Sequence, residues 1–198
     1  MNEQLWWYLT RASGIVAWAL LTAAVLFGLV VRTKVGARPA RPPWWLDLHR
    51  FLGGLATVFT AVHLATLIAD SYVHFDLVDV LVPGASEWQP GAVAWGVVSL
   101  WLLVAVEATS LLQKRLPRRT WRWIHLTSYP LFWMATFHFV AAGTDAHNRP
   151  AVAAVLVASG AVLFFTVTRA LLPRRGARAN AGGARAADAT ARPVPAGR

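Results

Sequence analysis

Long apolar runs, separated by short polar segments, dominate the pattern of residues along this chain. Five runs are long enough to cross a bilayer, which takes about 20 apolar residues in a helix. They lie at residues 5–31, 46–69, 91–112, 122–142 and 151–172. Most of the prolines lie in the polar segments, where they favour helix ends. The pattern predicts an all-α integral membrane protein, a bundle of five transmembrane helices.

The charges of the polar segments alternate in sign. Segments 32–48 and 113–121 and the residues after 172 are rich in Lys and Arg, whereas 70–90 has four acidic residues and no basic one. Positively charged segments tend to stay on the cytoplasmic side of a membrane. We therefore predict an N-terminus outside and a cytoplasmic C-terminus. An odd number of spans gives the same answer independently.

The composition supports the membrane class and excludes several kinds of site. The chain is 57% hydrophobic and contains 11 Trp, more apolar surface than a soluble domain of 198 residues carries. Its net charge is +10, but the basic residues lie between apolar runs and near the C-terminus, so we expect no nucleic-acid partner. Cysteine is absent, which excludes disulfides, iron–sulfur clusters and covalently attached haem.

Two regions divide the chain. Residues 1–172 contain the predicted spans, and the first run is interpreted as a retained helix because it is too long for a signal peptide. Residues 173–198 are rich in Ala, Arg, Gly and Pro, which predicts a disordered basic cytoplasmic tail. Segment 72–82 is apolar with spaced acidic residues and fits either a short helix on the outer interface or an ordered loop.

Four histidines lie inside apolar runs, as two pairs with similar spacing. His49 and His63 are 14 residues apart in the second run, and His125 and His138 are 13 apart in the fourth. A rise of 1.5 Å per residue separates the members of each pair by roughly 20 Å. Because the second and fourth helices are predicted to run in the same direction, His49 can meet His125 near the inner face. His63 can likewise meet His138 farther out.

The angular positions of the histidines around each helix fit this pairing less simply than their depths do. Fourteen residues return a helix to within about 40° of the starting face, whereas thirteen leave it about 140° away. Pro130 lies between His125 and His138 and is a candidate for a kink that turns the second of them.

Paired membrane histidines have a restricted set of explanations, because each is costly to bury in lipid. Zinc generally needs a third or fourth protein ligand, and no Cys, Asp or Glu lies at matching depth in the histidine-bearing helices. A haem iron needs only two axial ligands, and bis-histidine ligation suits electron transfer. We therefore predict two haems b. The alternatives are a non-redox histidine-lined transporter or proton channel, and a haem sensor or assembly subunit without turnover.

Other polar residues near the spans have less specific interpretations. Arg50 and Arg122 lie beside the predicted ligands and are candidates for binding haem propionates, as is Arg11. For each arginine taken alone, extension of the side chain to the membrane interface is the favoured explanation. His74 and His147 lie in outer segments and are interpreted as solvated residues.

A family resemblance rests on two segments, HRFLGGLATVFTAVH at 49–63 and WRWIHLTSYPLFWMATFH at 121–138. They resemble the ferric reductase-like transmembrane domain. This family includes the membrane cytochrome b part of NADPH oxidases and ferric reductases, and the haem-binding membrane subunit of the bacterial periplasmic methionine sulfoxide reductase system. The resemblance covers about residues 5–172. It implies that His49 and His125 ligate the inner haem. By the same resemblance, His63 and His138 ligate the outer haem.

The chain departs from many members of that family in two ways. The oxidases and many reductases have six helices and a cytosolic flavin and nicotinamide module, whereas five spans are predicted here. The residues after 172 contain no Gly-rich nucleotide-binding turn. The resemblance therefore implies an oxidoreductase component that has no flavin or NAD(P)H domain in this chain.

The resemblance also implies separate electron-transfer partners. We expect electrons to arrive from quinol or from a cytosolic flavoprotein reductase that carries FMN or FAD. They would leave to an extracytoplasmic acceptor, either ferric iron or a partner reductase. The expected location is the bacterial cytoplasmic (inner) cell membrane, crossed several times.

Overall fold

The computed structural model describes residues 3–33, 44–70, 73–144 and 148–171, which contain seven helices and no strand. The helices are α1 (Glu3–Thr33), α2 (Trp44–Ala69), α3 (Leu77–Leu81), α4 (Pro90–Leu111), α5 (Arg118–Leu126), α6 (Ser128–Ala142) and α7 (Arg149–Leu171). Within this part of the chain the predicted all-α class is confirmed. Four helices, α1, α2, α4 and α7, are long and apolar enough to cross a membrane.

The fourth predicted span differs from the sequence expectation. The pattern predicts one continuous helix over 122–142, but α5 ends at Leu126 and α6 begins at Ser128. Pro130 lacks the N–H that would bond to the carbonyl of Leu126, and its ring crowds that carbonyl. The hydroxyl of Thr127, between the two helices, donates to the carbonyl of Ile124 at 2.6 Å. The helix is therefore interrupted one turn before the proline, and α5 and α6 are separate helices.

The helices form two closely packed pairs, α1 with α2 and α4 with α6. α1 also packs against α6 and α7 and so joins the pairs. The central cluster is Val25, Leu29, Phe132, Ala158 and Val162, and Phe132 has no exposed surface. Lipid tails are as apolar as these side chains, so close van der Waals packing holds the helices together in a bilayer.

Large apolar side chains on the outside of the bundle point away from this cluster. Phe51 and Phe164 are each 62% exposed, and Val157 is 72% exposed. Exposed apolar surface of this extent marks an interaction surface, and a multi-pass membrane protein presents such surface to lipid.

A short helix, α3, lies in the segment that connects α2 to α4. Segment 72–82 was open to two interpretations, and the structure has α3 over five of its residues, Leu77–Leu81. Asp76 caps α3, because its carboxylate accepts from the backbone N–H groups of Val78 at 2.7 Å and Asp79 at 3.0 Å. Apolar contacts join this segment to α4 through Phe75, Val80, Val93 and Val97.

Several sequence predictions concern residues that the structure does not describe. The tail at 173–198 and His147 lie outside the described residues. His74, interpreted from the sequence as solvated, is exposed.

Candidate functional site

His49 of α2 and His125 of α5 face each other at one end of the bundle. The centres of their imidazole rings are 5.9 Å apart, and the ring planes meet at 76°. Two imidazoles bound to one iron through Nε2 would have ring centres roughly 6 Å apart, given metal–nitrogen bonds of about 2 Å. The observed separation would therefore allow both imidazoles to hold one metal centre.

His63 of α2 and His138 of α6 line a single cavity of about 270 Å³ nearer the other end of the bundle. Most of its wall is apolar, with Trp18, Leu131 and Phe139 among the lining residues. Such a wall excludes water and suits a flat apolar cofactor with a few oriented polar contacts. The structure thus brings the four histidines into two pairs, His49 with His125 and His63 with His138.

Each imidazole is oriented by an oxygen atom that faces its Nδ1. The distances are 3.0 Å from His49 to the carbonyl of Ala24, 2.8 Å from His63 to that of Thr10, and 2.8 Å from His138 to that of Ala92. A carbonyl can only accept, so Nδ1 donates its proton in these three residues and Nε2 carries the lone pair. This tautomer is suited to binding a metal through Nε2.

His125 has different surroundings. Its Nδ1 lies 3.5 Å from the hydroxyl oxygen of Ser110, at the long limit for a hydrogen bond. The indole of Trp121, one turn earlier in α5, stacks on its imidazole at 5.1 Å between ring centres. Stacking and a long contact with a hydroxyl therefore orient this fourth ring.

The arginines predicted near the site have different positions in the structure. Arg11 lines the cavity that contains His63 and His138, and its guanidinium lies 5.0 Å from the ring centre of Trp7. Arg50 is exposed and pairs with Asp47 at 3.6 Å. Arg122 is exposed on α5. Only Arg11 of the three lines this cavity.

The donor set suits haem better than a bare metal ion. Among the described residues, no group of three or more His, Asp or Glu side chains could hold such an ion, and the chain has no cysteine. Pairs of imidazoles, three of them with Nδ1 bonded to a carbonyl and Nε2 left for a metal, fit a cofactor that already supplies four ligands to its iron. The residues present therefore fit haem at both histidine pairs.

The sequence analysis did not identify the groups that orient the rings. Three of them are backbone carbonyls on neighbouring helices, and any residue type presents a carbonyl. One signal in the sequence was available, because Gly14 and Gly28 of α1 are 14 residues apart, as are His49 and His63 of α2.

Comparison with known families agrees with this arrangement. The family model for the ferric reductase-like transmembrane component matches residues 13–141, a stretch that runs from α1 into α6 and includes all four histidines. Neither the curated proteins nor the solved structures contain a significant match to the chain. Because the family match covers more than half of the chain, the protein belongs to the ferric reductase-like transmembrane family, and this membership indicates a component of membrane electron transfer.

Proposed function

We propose that this chain is a b-type haem subunit that carries electrons across a bacterial cytoplasmic membrane. The proposal rests chiefly on one observation, the two histidine pairs whose Nδ1 atoms face oxygen atoms on neighbouring helices. When bound, haem supplies a reversible one-electron redox centre. The family match supports a role in membrane electron transfer, whereas the cofactor, the direction and the partners are proposals.

The proposed ligands follow the two pairs. His49 and His125 hold the inner haem. His63 and His138 hold the outer one. The carbonyls that face Nδ1 accept its proton and so orient Nε2 toward the proposed haem, and such outer contacts also make a histidine more basic as a ligand. The apolar cavity wall keeps water from the outer site.

Positive side chains are proposed to bind the haem propionates. Arg11, on the cavity wall, is placed for the outer haem. Arg50 follows His49 directly and Arg122 precedes His125 by three residues, so both are candidates at the inner haem. For Arg50 this requires release of the exposed pair with Asp47, and an exposed pair of this kind contributes about 1 kcal/mol or less.

The proposed topology has five spans, with α5 and α6 forming the fourth together. A helical rise over residues 118–142 covers roughly 37 Å, enough for a hydrocarbon core about 30 Å thick. The interruption at Thr127 keeps its backbone satisfied, because its N–H donates to Ile124 and its carbonyl accepts from Leu131, each at 3.0 Å. With the N-terminus outside, His49 and His125 lie toward the cytoplasm and the C-terminus is cytoplasmic.

Electrons are proposed to enter at the inner end. Lys114 and Arg115, between α4 and α5, and Arg118 and Arg119, in the first turn of α5, are exposed. Arg118 and Arg119 lie within two turns of His125. A cluster of positive charge can steer an acidic cytosolic flavoprotein carrying FMN or FAD toward the inner haem. A membrane quinol is the other candidate donor. The proposed acceptor is ferric iron or a partner reductase outside the membrane.

Haem quantification and a reduced-minus-oxidised spectrum of the purified protein test this proposal. We expect two non-covalent low-spin haems per chain. His63→Ala or His138→Ala should empty mainly the outer site, and the corresponding changes at His49 or His125 mainly the inner site. His74→Ala is the matched control, because His74 is exposed and belongs to neither pair.

Three results would contradict the proposal. Wild-type protein without haem after expression with a sufficient haem supply would favour the histidine-lined transporter or proton channel. Full haem content in all four ligand variants would show that the ligands are wrong. Haem that no flavoprotein or quinol reduces would instead favour the sensor or assembly subunit.

A further inference from the structure

Three of the four paired histidines rest on a neighbouring helix in the same way. In each case Nδ1 donates to a backbone carbonyl, and a glycine lies four residues after that carbonyl in the same helix. We call this arrangement a carbonyl–glycine seat. The seats are Thr10 with Gly14 under His63, Ala24 with Gly28 under His49, and Ala92 with Gly96 under His138.

The glycines are needed because a side chain at these positions would collide with the imidazole. A Cβ on Gly14 would lie 3.0 Å from Nδ1 of His63, and a Cβ on Gly28 would lie 3.2 Å from Cε1 of His49. At Gly96 the Cβ would lie 2.8 Å from both Nδ1 and Cε1 of His138. Each glycine therefore lets a ring approach the carbonyl one turn earlier.

Not every glycine in these helices has this environment. A Cβ added to Gly54 in α2 or to Gly160 in α7 would meet nothing within 4 Å. A Cβ on Gly53 in α2 would also be crowded, but by a carboxylate, since it would lie 2.6 Å from Oε1 of Glu107. Close approach to an imidazole is therefore what the three seats share, and it is not a feature of helical glycines in general. The two open glycines provide matched controls for substitution.

The fourth position follows the same spacing with a different residue. On α1 the seat glycines Gly14 and Gly28 are 14 residues apart, and on α4 the residue 14 positions after Gly96 is Ser110. Ser110 presents its hydroxyl to Nδ1 of His125 at 3.5 Å, longer than the 2.8–3.0 Å of the three carbonyl contacts. His125 thus has a longer contact with a neutral hydroxyl in place of a carbonyl–glycine seat.

We propose that Gly14, Gly28 and Gly96 are positioning residues for three haem ligands, and that Ser110 makes His125 the most easily displaced of the four. This inference rests on the proposed haem function. A hydrogen bond from Nδ1 increases the basicity of the ligand and holds the ring in place. At Nδ1 the inner haem would thus have one ligand bonded to a carbonyl, His49, and one at longer range from a hydroxyl, His125, whereas both outer ligands are bonded to carbonyls.

Alanine substitutions test the three seats. Alanine favours a helix over glycine by about 1 kcal/mol, so loss of a haem signal cannot come from weakening the helix itself. Gly28→Ala should shift or remove the low-spin electron paramagnetic resonance signal of the inner haem only. Gly14→Ala and Gly96→Ala should affect the outer haem only, and Gly96→Ala more strongly because its contact is closer. Gly54→Ala and Gly160→Ala should leave both signals unchanged.

In each seat variant the haem at the other site reports whether the protein is folded. Unchanged signals in all three seat variants would overturn the proposal. Equal loss of both haems in the seat variants would also overturn it, because it would show a general packing defect. Wild-type protein without haem would contradict the proposed function itself. That outcome is distinct from a loss of haem confined to the seat variants, which concerns only this inference.

Two substitutions at Ser110 test the fourth position. Ser110→Ala removes the hydroxyl and keeps a Cβ, so it should increase the fraction of reduced inner haem that binds carbon monoxide in place of His125. Ser110→Gly removes the Cβ that stands between His125 and the carbonyl of Val106, four residues earlier, which accepts from the hydroxyl of Thr109 at 3.2 Å. This variant should decrease that fraction below wild type. The outer haem should bind no more carbon monoxide in either variant. If both variants match wild type, or if the outer haem is the one that binds carbon monoxide, the proposal is wrong.

Discussion

The basic cluster before and within the first turn of α5 permits a quantitative test of how electrons enter. Arg118 and Arg119 are the first two residues of α5 and are exposed. Positive charge in the first turn of a helix interacts unfavourably with the helix dipole, and glutamine is a good helix former. Replacing both arginines with glutamine should therefore leave α5 intact and change only its attraction for an acidic partner.

The size of the effect follows from Coulomb's law. Two unit charges about 10 Å apart in water interact by about 0.4 kcal/mol, a factor of about two in association rate. The loss of Arg118 and Arg119 should then slow association with an acidic donor about fourfold at low salt. At an ionic strength of about 0.1 M the Debye length is about 10 Å. Screening reduces each interaction to about a third, so the difference should fall below about twofold.

Stopped-flow measurement of haem reduction under second-order conditions checks this prediction. The donor is a reduced acidic flavoprotein, and the haem absorbance is followed as ionic strength increases. Arg149→Gln is the matched control, because Arg149 is exposed at the start of α7, at the other end of the bundle. Its substitution should leave the rate unchanged at every ionic strength.

Three results would refute the docking argument. The first is a rate that does not depend on salt, and the second is an equal slowing by Arg149→Gln. The third is reduction of the haem by quinol but not by flavoproteins, which would identify a quinol-fed cytochrome. The basic residues before and in α5 would then serve only to set the orientation of the chain in the membrane.

Three further predictions concern topology and packing. Reporter fusions within 73–89 and after residue 172 should indicate opposite sides of the membrane, and a common side would contradict the five-span arrangement. Trp18 donates to the hydroxyl of Thr136 at 3.1 Å. A double-mutant cycle with Trp18→Phe and Thr136→Val, measured by unfolding in detergent, should therefore give a coupling of about 0.6 kcal/mol, and no coupling would contradict this bond. Asp76→Ala should destabilise α3 by about 1 kcal/mol and speed its hydrogen exchange, whereas Asp76→Asn should retain most of the cap; equal exchange in both variants would contradict the capping role.

Much of the fold follows from local rules that a single sequence displays. Continuous apolar runs of bilayer length predict helices, and four of the five predicted runs are single helices close to the expected bounds. The fourth run is equally apolar, but apolarity does not reveal where a helix is interrupted. That position depends on one missing backbone N–H, at Pro130, and on the local hydrogen bonds of Thr127.

The candidate site was predictable only in part. Spacing and depth along the chain suggested that His49 lies near His125, and the structure places their rings 5.9 Å apart. The thirteen residues from His125 to His138 would not bring both side chains to one face of a single helix. In the structure this interval spans two helices, α5 and α6. Arg50 and Arg122 were chosen by their nearness in sequence to the ligands, but adjacent residues of a helix point in different directions. Their exposure could not be read from sequence spacing.

The sequence by itself determined the membrane class, the helical content and the histidines that we propose as haem ligands, because apolar length and side-chain chemistry belong to the chain alone. Tertiary structure decided which groups orient those residues. The carbonyl of Thr10 reaches His63 across 53 positions, and that of Ala92 reaches His138 across 46. A backbone carbonyl has no residue-specific signature, and its access to an imidazole depends on how closely two helices approach. Glycine permits that approach, but only the packing of the helices brings each glycine to its histidine.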